Sequence, residues 1–435
     1  MVMRRDHVGA MAFSHSSRPS LAEASPIKKR PGTWRPLWRK IHLYLGFGSG
    51  LVLLVLALSG ITLIFSDDLD RLLHPDFYAT TGAEAALTPD VYLAAATAVV
   101  PEGAATQLRW PRTTGAPVTV LVRAEPKHRA TDQGADHTAT KKDMDAAPSG
   151  ERRNEARQFL VFLDPPTARV LGTVNYRERF AAIVLSLHRS LLVPQWFGAD
   201  IVGFSGIGLA ILCVTGLVLW WPRGPFLKGL YFHRGRYLRT NLHYTTGFWV
   251  LAPLTIMVVT GLTLSYPRQA RGLVNVFAEL SPRPPERPGR DALLLAPHLD
   301  PAEILDRALA QIRQEAPETL LRPVSLTWPS MSGKVWRVQL DLGQEESTLL
   351  IDDATGEVAR APETLSGEAL LLFLRRLHGA THHGLVWEGL ALLAGLGIPL
   401  LLVTGILMWL RRRPHAVENL PATAVCLPES EQSAA

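Results

Sequence analysis

The 435-residue sequence predicts a membrane protein: an all-α four-helix transmembrane bundle carrying two α+β modules outside the bilayer, arranged as an internal duplication. Three observations lead there. Four apolar stretches, His42–Phe65, Gly198–Trp221, Leu242–Tyr266 and Gly389–Leu410, each reach about 20 residues or slightly more, enough to cross ~30 Å of hydrocarbon. A shift of 201 lays His42 on His243, Gly46 on Gly247 and Ser59-Gly60 on Thr260-Gly261, and a shift of 189 lays Thr215-Gly216 on Thr404-Gly405 and Trp220 on Trp409. Finally, each pair of spans encloses a long polar segment in which a helical pattern precedes alternating strands.

Basic residues orient the spans. Lys28, Lys29, Arg30, Arg35, Arg39 and Lys40 surround the start of the first, Arg223, Lys228, Arg234, Arg236 and Arg239 fill the connection before the third, and Arg411, Arg412 and Arg413 follow the last. The bias of such residues toward the inner side places both termini in the cytoplasm and the chain in a bacterial inner membrane, with lipid as its surroundings. The net charge of +6 is thereby a topology signal and not a nucleic-acid footprint. The first span is longer than a signal-peptide core and lacks a small-residue cleavage site behind it, so it reads as an uncleaved anchor. Cys213 falls in the second span and Cys426 in the tail, which leaves both extracytoplasmic segments without disulfides and the chain without a zinc or iron–sulfur motif.

The organisation follows. Residues 1–33 form an aperiodic cytoplasmic N-terminus, 34–66 the first helix and 67–180 the first module. Residues 181–222 hold a histidine segment and the second helix, 223–241 the basic loop, and 242–266 the third helix. The second module occupies 267–373, a second histidine segment with the fourth helix 374–411, and a cytoplasmic tail 412–435. In the first module a helix is expected near Asp90–Val100 and strands at Gln107–Trp110, Val118–Arg123 and Gln158–Leu163. In the second, the helix is Asp300–Glu315, and the strands are Pro323–Trp328, Lys334–Leu342 and Ser347–Ile351. Asp164-Pro165-Pro166-Thr167 and Asp352-Asp353-Ala354-Thr355 read as matching turns. Glu125–Arg157, charged and nearly free of large apolar residues, reads as a disordered insertion into the first module.

Ionised groups within membrane helices cost roughly 2.5 kcal/mol or more at mid-bilayer, so those retained usually serve a function. Neutral histidine is the least costly. One imidazole nitrogen can ligate haem iron while the other N–H bonds a backbone carbonyl. His42 and His243 open spans that start in the cytoplasm, whereas His188 and His378 precede spans that start outside. The alternation sorts them into two depth-matched pairs, each able to give both axial ligands to one b-type haem: His42 with His243 at an inner haem, His188 with His378 at an outer one. His382 and His383, one turn past His378, stand as alternatives to it. Gly46 and Gly247 lie one turn beyond the inner histidines on the same face, where a missing side chain lets a flat macrocycle approach. Trp220, Trp221 and Trp409 read as interfacial belt residues, and Asp200 and Glu388 as helix-start residues.

Several of these stretches carry a resemblance: Arg39-Lys40-Ile41-His42 with Gly46, Leu187-His188-Arg189-Ser190, Leu242-His243 with Gly247, Leu377-His378-Gly379, and the ends Thr215-Gly216 through Trp221 and Thr404-Gly405 through Trp409. Over about Trp34 to Arg413 the chain resembles the PepSY-associated transmembrane helix family, also called iron-regulated membrane proteins. The resemblance implies a four-span inner-membrane protein with two periplasmic PepSY-like modules. Through better understood members, it also implies a di-haem ferric-siderophore reductase whose ligands are His42, His188, His243 and His378. Electrons would pass from a cytoplasmic reductant or quinol to a periplasmic ferric chelate, a ferric siderophore, and iron would be released. The chain has no glycine-rich dinucleotide fingerprint, so its donor is another molecule. Arg109, Arg112, Trp336 and Arg337 are expected either to meet an anionic chelate or to form solvated sheet surface. Two other functions compete: a non-enzymatic membrane-anchored protein that binds peptides or a protease, and quinol-linked haem electron transfer to another periplasmic acceptor.

Overall fold

The structure, a computed structural model, describes residues 34–101, 103–124, 157–221, 237–282, 297–316, 320–331, 333–343, 345–379 and 384–411. The expected insertion, the basic loop, both tails and His382 and His383 lie outside the described residues apart from their margins. In chain order the first half contains α1 (Arg35–Ile64), α2 (Ser66–Leu73), a 3₁₀ turn (Pro75–Tyr78) and α3 (Pro89–Val99). It continues through β1 (Gly103–Arg109), β2 (Val118–Ala124), β3 (Arg157–Leu163), β4 (Val170–Asn175), α4 (Phe180–Ser190) and α5 (Gln195–Trp220). The second half contains α6 (Leu238–Ser265), α7 (Pro267–Val274), α8 (Pro301–Glu315), β5 (Arg322–Thr327), β6 (Val335–Asp341), β7 (Glu346–Asp352), β8 (Val358–Arg360), α9 (Ser366–Gly379) and α10 (Leu385–Leu410).

Four helices, α1, α5, α6 and α10, have the length and composition to cross a membrane. They close into a ring in which α1 and α6 each pack on both α5 and α10. Small residues set the approach: a Cβ on Gly50 would fall 2.7 Å from Leu402, one on Gly395 2.8 Å from Ile61, and one on Gly397 2.7 Å from Val250. Without a hydrophobic force between helices in lipid, such backbone contact is what lets dispersion hold them. Leu51, Phe204, Trp249 and Val403 point outward from the ring, an apolar exterior suited to acyl chains and not to water. The helices begin several residues earlier than the apolar runs suggest, because polar and basic residues sustain a helix as well as apolar ones do. His42 therefore lies about two turns inside α1, not at its mouth.

Outside the ring the sequence suggests two sheets, one per module; the chain forms one. Its eight antiparallel strands run β4-β3-β2-β1-β5-β6-β7-β8. At the centre β1 meets β5, with Gln107 opposite Thr327, Leu108 opposite Leu326 and Arg109 opposite Ser325. The Trp110 and Trp328 N–H groups extend that junction by donating to the carbonyls of Val324 and Thr106, each at 3.0 Å. Alternate residues from both halves, including Val118, Val120, Leu108, Leu326, Val338 and Leu349, share one core with Tyr92 and Ala96 of α3 and Ile304 and Ile312 of α8. Strands β4 and β8 escape the sequence reading. Neither shows a sustained apolar alternation, and both are outermost strands.

Two buried aspartates anchor the segments that enter the sheet. Asp164 accepts from the Thr81 N–H at 2.7 Å and the Thr81 hydroxyl at 2.6 Å, and Asp353 accepts from the His298 N–H at 2.9 Å and the Trp336 indole at 2.8 Å. Burial alone would raise the Asp164 pKa, but hydrogen bonds from Thr167 and Thr81 hold it below its ordinary value. Trp336 is thus a core residue on the face opposite Arg337, which removes it from the surface that a chelate could touch. Arg109 bonds Gln107 at the exposed end of β1, and Arg112, in the bend that follows, pairs with Glu346 of β7.

Candidate functional site

The ring brings each expected histidine pair together. The ring centres of His42 and His243 are 6.4 Å apart, and those of His188 and His378 are 6.2 Å apart. The pairs lie at opposite ends of the bundle because consecutive spans are antiparallel. His42, early in α1, touches Thr215, late in α5, while Ser59, late in α1, touches His188, just before α5.

Each imidazole engages a hydroxyl through Nδ1. His42 lies 2.8 Å from Thr215 Oγ1, His243 3.0 Å from Thr404 Oγ1, His188 3.0 Å from Ser59 Oγ and His378 3.1 Å from Thr260 Oγ1. All four hydroxyls belong to the duplicated Ser-Gly and Thr-Gly dipeptides, and the adjoining glycine makes room for the ring. A Cβ on Gly261 would come within 2.9 Å of His378 Cε1, and one on Gly60 within 3.2 Å of His188 Cε1. The corresponding distances to His42 from Gly216 and to His243 from Gly405 are both 3.5 Å. The sequence displays these dipeptides only as marks of repetition. Their role as partners of histidine emerges once antiparallel packing sets the far end of one span beside the near end of the next.

His42 and His243 open on a cavity of about 480 Å³, within the range of small-molecule and cofactor sites. Its walls are apolar, including Phe47, Leu212, Leu401 and Trp409, and Gly46 and Gly247 line it as expected. Trp220 also lines it, whereas Trp221 is exposed. Arg35 and Arg39 stand at its mouth, where Arg35 also donates to the Trp221 carbonyl at 3.1 Å.

The other pair is assembled from added helices. His188 sits near the end of α4 and His378 near the end of α9, and after His188 the chain reverses into α5 through Leu191 and Leu192, both in the left-handed region. Two non-glycine residues in succession there carry strain of about 1–2 kcal/mol each, which surrounding contacts must offset. Ion pairs dock both helices. Arg179, at the start of α4, contacts Asp70 of α2 at 3.0 Å, and Glu368 of α9 contacts Arg271 of α7 at 3.1 Å. Asp70 and Arg271 are related by the shift of 201 and Arg179 and Glu368 by that of 189, so the two locks occupy matching places with opposite polarity. Tyr78 also donates to Asp70, and burial together with that carboxylate pushes its phenol up to about 12.

Among the described residues no group of three or more histidine, cysteine, aspartate or glutamate side chains could hold a metal ion. Antiparallel membrane-length helices with facing histidine pairs at both ends, joined to a single antiparallel sheet, define a polytopic membrane protein with internal polar sites. Within that class the chain belongs to the PepSY-associated TM region family, whose pattern matches residues 39–412. It is also 30% identical over 264 residues to a Pseudomonas aeruginosa protein named uncharacterized protein PA4219, a match covering 54% of this chain and 64% of that relative. The matched stretch thus spans just under two thirds of the relative's own length.

Proposed function

We propose that this chain is an inner-membrane di-haem b reductase that carries electrons from a cytoplasmic or quinol donor to a periplasmic ferric chelate, a ferric siderophore, and so frees the iron. The observation that carries the proposal is the pair of facing imidazoles at each end of the bundle. Two imidazoles bound to one iron through ~2 Å bonds hold their ring centres roughly 6 Å apart, in keeping with the 6.4 and 6.2 Å of the two pairs. A haem at each pair supplies a one-electron centre near each membrane face. His42 and His243 would hold one and His188 and His378 the other, while Phe47, Leu212 and Trp409 exclude water around the first.

The basic residues flanking the spans support cytoplasmic termini and a periplasmic sheet, and an electron then moves outward with the membrane potential, worth roughly 2.3 kcal/mol per 100 mV for a full crossing. Reduction of Fe(III) weakens its hold on hard oxygen ligands, which is how the chelate would release it. We also read the sheet as two PepSY-like modules from a duplicated unit; the mirrored strand order and the shifts of 201 and 189 support this. Strands β1 and β5 join the two halves of the sheet, and the acceptor would be held between the two modules on the side of His188 and His378.

The test is absorbance of detergent-purified full-length protein. A Soret band with sharp dithionite-reduced bands and two haems per chain is expected, falling to one in His42→Ala or His243→Ala. Unchanged stoichiometry in both variants rejects that pair. Colourless protein from haem-replete cells rejects the redox function and leaves peptide or protease binding.

A further inference from the structure

We propose that Ser59, Thr215, Thr260 and Thr404 are positioning residues that fix the proton of each paired histidine on Nδ1 and so set how strongly Nε2 donates to a bound metal. The inference rests on the haem ligation proposed above.

A serine or threonine hydroxyl has one proton and two lone pairs. Ser59 donates to the Val55 carbonyl at 2.7 Å, Thr260 to Ile256 at 2.8 Å, Thr404 to Leu400 at 2.6 Å and Thr215 to Leu212 at 3.2 Å, each one turn back in its own helix. With that proton committed, the oxygen can only accept from the imidazole. Nδ1 must therefore bear the hydrogen in all four histidines, which leaves the lone pair on Nε2. For His378 a second contact requires the same assignment, because Nδ1 lies 3.1 Å from the Met257 carbonyl, which has no proton to give. The neighbouring glycines let each ring lie against the helix that holds it. In a low-dielectric interior an unsatisfied N–H is costly, so the tautomer is held firmly. A hydrogen bond from a ligand's outer N–H raises its basicity, which favours the oxidised metal.

The test uses haem-loaded full-length protein with Thr404→Val and Thr215→Val, which keep shape and remove the hydroxyl acceptor, and Thr404→Ser, which restores it. Redox titration should show one of the two midpoint potentials moving upward in each valine variant, with an altered low-spin resonance for that haem and the other unmoved. Thr404→Ser should return both to the wild-type values. Should one valine variant fail to accumulate, the other carries the same expectation. If both valine variants fail while Thr404→Ser accumulates with haem, the hydroxyls hold the fold and not the tautomer, and the proposal falls. Haem-replete valine variants with unchanged potentials and resonances also overturn it. Wild-type protein without haem overturns the ligation itself, a distinguishable result.

Discussion

The two histidine pairs are built by different means. His42 and His243 belong to the spans themselves and share a roomy cavity, and a Cβ added to either adjoining glycine would stay 3.5 Å from the ring. His188 and His378 ride on short helices, docked by ion pairs and packed so closely that a Cβ on the adjoining glycine would come within 3.2 and 2.9 Å of the ring. One end is set by the packing of long helices, and the other depends on charges and tight clearances. Their sensitivities to mutation should differ accordingly.

The largest effect is expected at the more buried lock. Asp70 is 3% exposed and Arg179 20%, so Asp70→Asn leaves a cation with little water and should cost about 3–5 kcal/mol. Chemical unfolding in detergent would measure it; under the proposed haem ligation, a haem at His188 and His378 should be lost before one at His42 and His243. Asp70→Arg combined with Arg179→Glu reproduces the polarity of the other half and should recover most of the loss.

Next come the glycines. Gly261→Ala drives a methyl into His378 and should cost ~1–3 kcal/mol, whereas Gly405→Ala meets only ordinary contact; under the proposed haem ligation the first should lose one haem per chain and the second should keep its pigment unchanged. Equal effects from both substitutions would erase the contrast between the two ends. Glu368→Gln should cost less, about 1 kcal/mol, because that pair is 26–30% exposed and partly screened.

The smallest effect is with pH. A hydrogen bond from Ser281, and then Arg271, hold the Glu368 carboxyl below its ordinary range despite burial. A depressed folded-state pKa gives stability that is present at neutral pH and lost as pH falls through the folded value. Stability should therefore stay level from pH 7 toward the ordinary carboxylate range and decline below it, with a shallower decline in Glu368→Gln.

The spans were legible because an uninterrupted run of ~20 apolar residues matches the thickness of a bilayer and exceeds what a soluble core needs, and the pairing of histidines followed from their alternation along the chain. Helices α3 and α8 and the inner strands were legible from periodicity. The β1–β5 junction was not, since Leu108 and Leu326 look like core residues whether they face one helix or share two. Nor were α4 and α9 apparent as docked helices. Their anchors, Arg179 and Glu368, find their acid and base about a hundred residues away, a distance that local patterns do not report. The hydroxyl partners stayed hidden for the same reason.

The β1–β5 junction makes each half dependent on the other. A fragment that stopped before α6 would bare β1 as an unpaired edge and strip α8 and its sheet from the apolar side of Leu108. Such a fragment has an obvious remedy in a second copy of itself, joined strand to strand where β5 now lies. A half-length chain should thus occur as a homodimer, joined along the edge that β5 covers in the intact protein.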